Sequence, residues 1–203
     1  MTIDDIMRTS PVIPVLVLED DCDPVELAET LVGAGLRVLE VTLRTPNALD
    51  AIRAMKGVEG AIVGAGTVLN EVQLAQAIDA GSEFIVSPGL TNPLALAVRD
   101  SGVPYLPGVS TAADIMRGLD LGLTRFKFFP AEASGGIPAL KALSAPFGEA
   151  RFCPTGGIRA DTAAAWLAIP SVLCVGGTWF VRAGERGMSG VAERAKLAVQ
   201  LDR

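Results

Sequence analysis

The chain contains no histidine, an absence that removes the commonest general base and the commonest transition-metal ligand together. Acid–base chemistry must run through carboxylates, lysine, tyrosine or water, and a histidine-ligated zinc site is excluded. Cysteine is scarce. Cys22, Cys153 and Cys174 are odd in number and show no CxxC spacing, and the latter two sit in strand-like runs as small buried hydrophobes. Lysine and arginine total 17 against 23 acidic residues, for a net charge of −6. This argues against nucleic acid as a partner, because phosphate neutralisation needs a basic face. No apolar run approaches the length of a membrane span, and Met1-Thr2-Ile3-Asp4-Asp5 lacks the basic run of a signal peptide. No membrane and a cytoplasmic location are therefore expected. No linker or shift of composition divides the 203 residues, which predicts a single domain over 1–203.

What is present is rhythm. Short β-branched or apolar runs fall at 12–18, 36–43, 61–63, 83–86, 104–106, 125–128, 151–153 and 172–175. Their centres lie about 20–25 residues apart, the length of a strand, a helix and two short loops. Helix-like stretches lie between them. One covers 24–34, with Asp23 as N-cap, Pro24 at the first helical position and Glu26 as reciprocal cap partner. Another covers 71–80 and stops at Gly81, with Leu74, Ala75 and Ile78 on one face. Eight such units with helical crossovers predict parallel strands and an α/β fold, a (β/α)8 TIM barrel in one compact domain. The alternative is an open doubly wound sheet, which the missing GxGxxG after the first strand disfavours.

Sites in such barrels lie at the C-terminal strand ends. Lys127 falls at one, in Arg125-Phe126-Lys127-Phe128-Phe129-Pro130, with three Phe around one ammonium, whereas Lys56, Lys141 and Lys196 lie on solvent-facing stretches. Desolvation favours the neutral amine, the form that attacks a carbonyl. The competing reading is a lysine whose stem packs while its head reaches water or a carboxylate. On the second strand Leu39, Val41 and Leu43 share one face and Glu40, Thr42 and Arg44 the other. The apolar face must meet helices, so Glu40 points inward and needs a cationic partner, Lys127 or Arg44. Such a pair is either a structural ion pair or the nucleophile and proton shuttle of imine chemistry. Gly64-Ala65-Gly66-Thr67, Thr155-Gly156-Gly157-Ile158 and Gly176-Gly177-Thr178 end strands three, seven and eight. The last two suit an anion held by backbone N–H groups. Glu19, Asp20, Asp21 and Asp23 match no calcium-loop spacing, and Trp166 and Trp179 read as packing residues.

Five motifs in order, Glu40-Val41-Thr42-Leu43-Arg44, Gly64-Ala65-Gly66-Thr67, Ser87-Pro88-Gly89, Phe126-Lys127-Phe128-Phe129-Pro130-Ala131-Glu132 and Phe152-Cys153-Pro154-Thr155-Gly156-Gly157-Ile158, resemble the class I 2-keto-3-deoxy-6-phosphogluconate aldolases over nearly the whole chain. The resemblance implies that Lys127 is the Schiff-base lysine and Glu40 the proton shuttle. Arg44 and Thr67 would bind the substrate carboxylate, Phe129 would wall the pocket, and Pro88 and Thr155 would contact the substrate. Gly156, Gly157, Gly176, Gly177 and Thr178 would hold its phosphate. It further implies a phosphorylated keto acid substrate, a homotrimer, and no metal or cofactor, because the imine is the electron sink. The galactonate epimer and 4-hydroxy-2-oxoglutarate remain open as substrates. A non-catalytic phosphosugar-binding barrel and a metal-dependent aldolase or phosphosugar isomerase are the readings from other classes.

Overall fold

Segments buried on both faces form the three longest strands among the described residues: β1 (Val12–Leu16), β2 (Val38–Thr42) and β3 (Ile62–Gly66). The computed structural model describes residues 1–19, 22–181 and 187–202. Shorter strands follow: β4 (Ile85–Val86), β5 (Tyr105–Leu106), β6 (Gly108–Val109), β7 (Arg125–Phe128), β8 (Arg151–Pro154) and β9 (Val175–Gly177). Every ladder is parallel, in the orders β5-β4-β3-β2-β1-β9 and β6-β7-β8. The result is an α/β fold with a curled parallel sheet. The expected fifth strand is split where Pro107, which has no N–H to give a ladder, separates β5 from β6. Single bridges pair Phe152 with Val172 and Thr155 with Gly176, beside β8 and β9.

The crossovers are α2 (Pro24–Gly33), α3 (Ala48–Met55), α4 (Glu71–Asp79), α5 (Asn92–Ser101), α6 (Ala112–Asp120), α7 (Gly136–Ser144), α8 (Ala163–Leu167) and α9 (Ser189–Val199). Asp23 caps α2 as expected, accepting from the N–H groups of Val25 and Glu26. Reciprocal capping boxes form elsewhere, at Thr2–Asp5 and Thr111–Asp114. The expected apolar face of α4 is corrected: Leu74 and Ala77 are buried, whereas Ala75 and Ile78 face solvent. A spacing of three, continued by buried Ala80, sets that stripe rather than a spacing of four.

Two cores result. The larger lies between sheet and helices and takes Leu39 and Val41 of β2, Phe126 and Phe128 of β7 and Phe152 of β8. The smaller lies on the inner face of the sheet, where Ile13, Val38, Ile62, Phe84, Val86, Leu106, Cys153, Leu173 and Cys174 cluster. Its other contributors, Ile6 and Met7, come from α1 (Ile3–Thr9), a helix preceding the first strand. Asp4 of α1 forms ion pairs with Arg8 and with Arg125 of β7, which fastens the helix beneath the sheet.

Candidate active site

Alternation along β2 sends Val38 and Glu40 inward and Leu39 and Val41 outward, as read from the sequence. Glu40 lies opposite Gly64 in the β2–β3 register, and the space beside it is kept by Gly66, where a Cβ would sit 2.3 Å from Glu40 Oε1. Gly64 likewise leaves room for the Phe84 ring. Both glycines belong to β3 itself, at the strand end where the sequence placed them. They are small inward-facing residues, and their recurrence two apart was the available signal.

On β7 the same alternation corrects the picture of three Phe around the ammonium. Phe126 and Phe128 point into the helix-facing core, and of the three only the Phe129 ring faces Lys127, with its centroid 5.5 Å from Nζ. Lys127 instead crosses the inside of the sheet and donates to Glu40 Oε1 at 2.8 Å. The two residues are 5% and 3% exposed. A buried pair at this separation is held by charge-assisted hydrogen bonding, and removing either partner strands the other charge. A carboxylate within one proton jump of an amine can deprotonate it. Both cysteines expected to be buried are buried, and Cys153 is the cross-strand partner of Lys127.

The remaining candidates surround this pair unevenly. Thr155, buried, presses its side chain into the space that a Cβ on Gly176 would take. Gly177 is bare because the Trp179 ring occupies its side-chain direction, a Cβ there lying 2.1 Å from the ring. Packing thus accounts for both glycines before any ligand is considered. Gly156 and Gly157 have φ of 103° and 81°, where a side chain is strained. Their loop is clamped to the loop after β7, with Ala131 N–H donating to Thr155 O at 2.8 Å and Glu132 N–H to Gly156 O at 3.0 Å. Gly156 packs against Phe129 and Pro130, and Gly157 against the Glu132 side chain. Thr178 is exposed at the end of β9.

Arg44, beyond β2, is exposed, and its guanidinium bonds no other described residue, so it is available to an anion. Thr42, two residues on from Glu40, is buried and donates to Leu16 O at 2.9 Å, a bond that ties β2 to β1. Thr67 adopts φ of 60°, a conformation costing a β-branched residue about 1–3 kcal/mol and kept only where the surroundings impose it. Pro88 is half-buried, and its carbonyl fills the side-chain direction of Gly108, a residue in register with Lys127. Of the acidic cluster, Asp20 and Asp21 lie outside the described residues, Glu19 is exposed and Asp23 is used as a cap. Trp166 is fully buried and donates to Glu132 Oε1 at 3.2 Å, and Trp179 stacks on Phe180, both packing roles as expected.

The family model for KDPG and KHG aldolase matches residues 3–193. The 2-dehydro-3-deoxy-phosphogluconate aldolase of Zymomonas mobilis is 57% identical over 196 residues, covering 97% of this chain and 94% of its own. The crystal structure of the 2-keto-3-deoxy-6-phosphogluconate aldolase of that organism with 3-phosphoglycerate superposes with a TM-score of 0.97 at 56% identity, over 99% of this chain and 96% of that one. The KDPG aldolase of Legionella pneumophila, with pyruvate captured as a covalent carbinolamine, superposes with a TM-score of 0.94 at 40% identity, over 98% and 99%. A buried lysine–carboxylate pair at the strand ends and likeness along nearly the full length agree: the chain belongs to the KDPG and KHG aldolase family.

Proposed function

We infer that the protein is a class I aldolase, a lyase that cleaves 2-dehydro-3-deoxy-6-phosphogluconate to pyruvate and glyceraldehyde 3-phosphate through an imine on Lys127. The observation that carries this is the 2.8 Å contact between Lys127 Nζ and Glu40 Oε1, both buried. Glu40 takes the ammonium proton, and the free amine attacks the C2 ketone. Protonation of the carbinolamine hydroxyl expels water and leaves an iminium. That cation accepts the C3–C4 bonding electrons as Glu40, directly or through water, removes the C4 hydroxyl proton. The aldehyde departs, the enamine is protonated at C3, and hydrolysis frees pyruvate and restores the lysine.

The remaining assignments follow from position. Arg44 and Thr67 hold the substrate carboxylate with Pro88 beside them, Phe129 walls the pocket and Thr155 contacts the substrate. Gly156, Gly157, Gly176, Gly177 and Thr178 receive the phosphate, a reading favoured by the adjacency of the two loops through the Thr155–Gly176 bridge. That bridge, and the single proline between β5 and β6, favour one closed (β/α)8 barrel forming one domain over 1–203. By family likeness the enzyme works as a cytoplasmic homotrimer. No helix among the described residues is long and apolar enough to cross a membrane.

Incubation with pyruvate and borohydride tests the chemistry. One reduced pyruvyl group should appear per chain, mapped by peptide mass to Lys127. Labelling of Lys56, Lys141 or Lys196 instead, or of none, overturns the mechanism.

A further inference from the structure

Behind the wall that carries Pro88 lies a hydroxyl chain that the reaction scheme leaves unused. Tyr105 is the only tyrosine in the sequence. Its side chain is 5% exposed, and its hydroxyl lies 2.7 Å from Ser87 Oγ, itself on a residue 1% exposed. Ser87 Oγ lies 2.6 Å from Gly89 O. A carbonyl can only accept, so the single Ser87 proton goes to Gly89, and Tyr105 must donate to Ser87. The direction of the chain is thereby fixed: Tyr105 to Ser87 to Gly89.

This chain occupies a weak point of the sheet. β4 has only two residues, and the next ladder bond, Ser87 N–H to Leu106 O, is long at 3.4 Å. Beyond it the backbone turns through Pro88, which has no N–H to anchor it. Tyr105 belongs to the helix-facing core, so the hydroxyl chain runs outside the sheet. The Pro88 carbonyl lies inside it, in the side-chain direction of Gly108, beside Lys127.

We propose that Tyr105 is a positioning residue: acting through Ser87, it sets the Pro88 carbonyl and the Ser87–Gly89 turn against which the pyruvyl half of the Lys127 imine rests. This rests on Lys127 being the imine lysine. Burial, partly offset by the Ser87 hydrogen bond, pushes the phenol up to about 12, so the donor keeps its proton across the working range.

Tyr105→Phe removes the hydroxyl and keeps the ring. Turnover in cleavage and in exchange of pyruvate methyl protons should both fall about tenfold, with KM changed less than about threefold, the signature of a misplaced reacting end. Ser87→Ala should lose the same factor, and adding Tyr105→Phe to it should lose nothing further. Unchanged turnover in a folded Tyr105→Phe protein, or additive losses in the double variant, overturns the proposal. If Tyr105→Phe does not fold, unchanged turnover in Ser87→Ala overturns it alone. Borohydride trapping on the unaltered enzyme separates the two questions. Failure to label Lys127 there removes the aldolase mechanism itself, whereas labelling there with unaffected variants removes only the role of Tyr105.

Discussion

Within the inner face of the sheet, two regions separated by one alternation of the strand are opposite in character. Val38, Leu106 and Cys153 belong to an apolar floor that meets Ile6 and Met7 of α1. Two residues further along the chain from each stand Glu40, Gly108 and Thr155, on the side where the pocket is proposed. Two residues rise roughly 7 Å. Over that distance the interior passes from wholly apolar to a buried ion pair. The floor keeps water from the far side of the pair, and exclusion of water strengthens both the attraction and the cost of breaking it. Apolar packing is concentrated below and the proposed chemistry above. A change in one region should leave the function of the other intact.

The largest expected break lies above. Glu40→Gln should reduce turnover by roughly 10²–10⁴, the range for losing a general acid–base group, while the amide oxygen still accepts from Lys127 and the fold persists. Steady-state kinetics with circular dichroism checks this, and near-normal turnover would leave the carboxylate a structural partner only. Below, Ile6→Ala should cost about 2–5 kcal/mol of stability through transfer and cavity terms. Denaturant melts should record that loss while kcat at 25 °C stays within about twofold. A large fall in kcat with little loss of stability would show that floor and pocket are not separable.

Thr178→Ala sharpens the comparison at the far rim. Loss of a hydroxyl donated to a phosphate should raise KM for the phosphorylated keto acid by roughly tenfold, the cost of one charged hydrogen bond, and leave exchange of pyruvate methyl protons untouched. This is a cleaner probe than any side chain at Gly157, where φ of 81° and the Glu132 side chain penalise substitution whatever binds. Equal losses in both assays would move the phosphate elsewhere.

The smallest effect concerns the fastening of α1. Burial tends to raise the Asp4 carboxyl, but the hydrogen bonds and charges of Arg8 and Arg125 outweigh it and hold it below the ordinary 3.8. A depressed carboxylate contributes stability that is present above its unfolded value and lost as pH falls through the folded one. Thermal melts of Asp4→Asn should therefore show a slightly lower stability at about pH 6, by no more than about 1 kcal/mol for a partly exposed pair, and the difference should narrow as pH falls below 3.8. A gap that persists in acid would assign the effect to packing of the helix rather than to its charge.

Much of this was legible in the sequence, because period-two alternation is a strong physical signal. It placed Glu40 inward. Lys127 was identified instead from its apolar company, and that reading misled in part because neighbours in sequence were taken as neighbours in space, where alternation would have separated them. In a strand Phe126 and Phe128 are the residues that cannot face Lys127. The partner that matters comes from β2, 87 positions away. The role of Gly66 was hidden for a related reason: a missing side chain shows its purpose only once the carboxylate that fills its space is in place. The α1 helix left a readable trace in Thr2 and Asp5, but its docking against Phe84 and Leu106 is purely tertiary. The Tyr105–Ser87 contact joins two adjacent strands whose register sequence alone does not supply.

The apolar floor also governs traffic. Ile6 and Met7 are buried at the inner end, so the pocket proposed at Lys127 would be a cul-de-sac in which visitors leave in reverse order of depth. On the proposed mechanism the fragment bonded to Lys127 would be the innermost, with the aldehyde between it and the opening. The aldehyde would then depart first and pyruvate last. Run in the synthetic direction, the proposed imine on Lys127 would make pyruvate the first arrival, because an aldehyde that enters ahead of it meets no enamine and stands in the way.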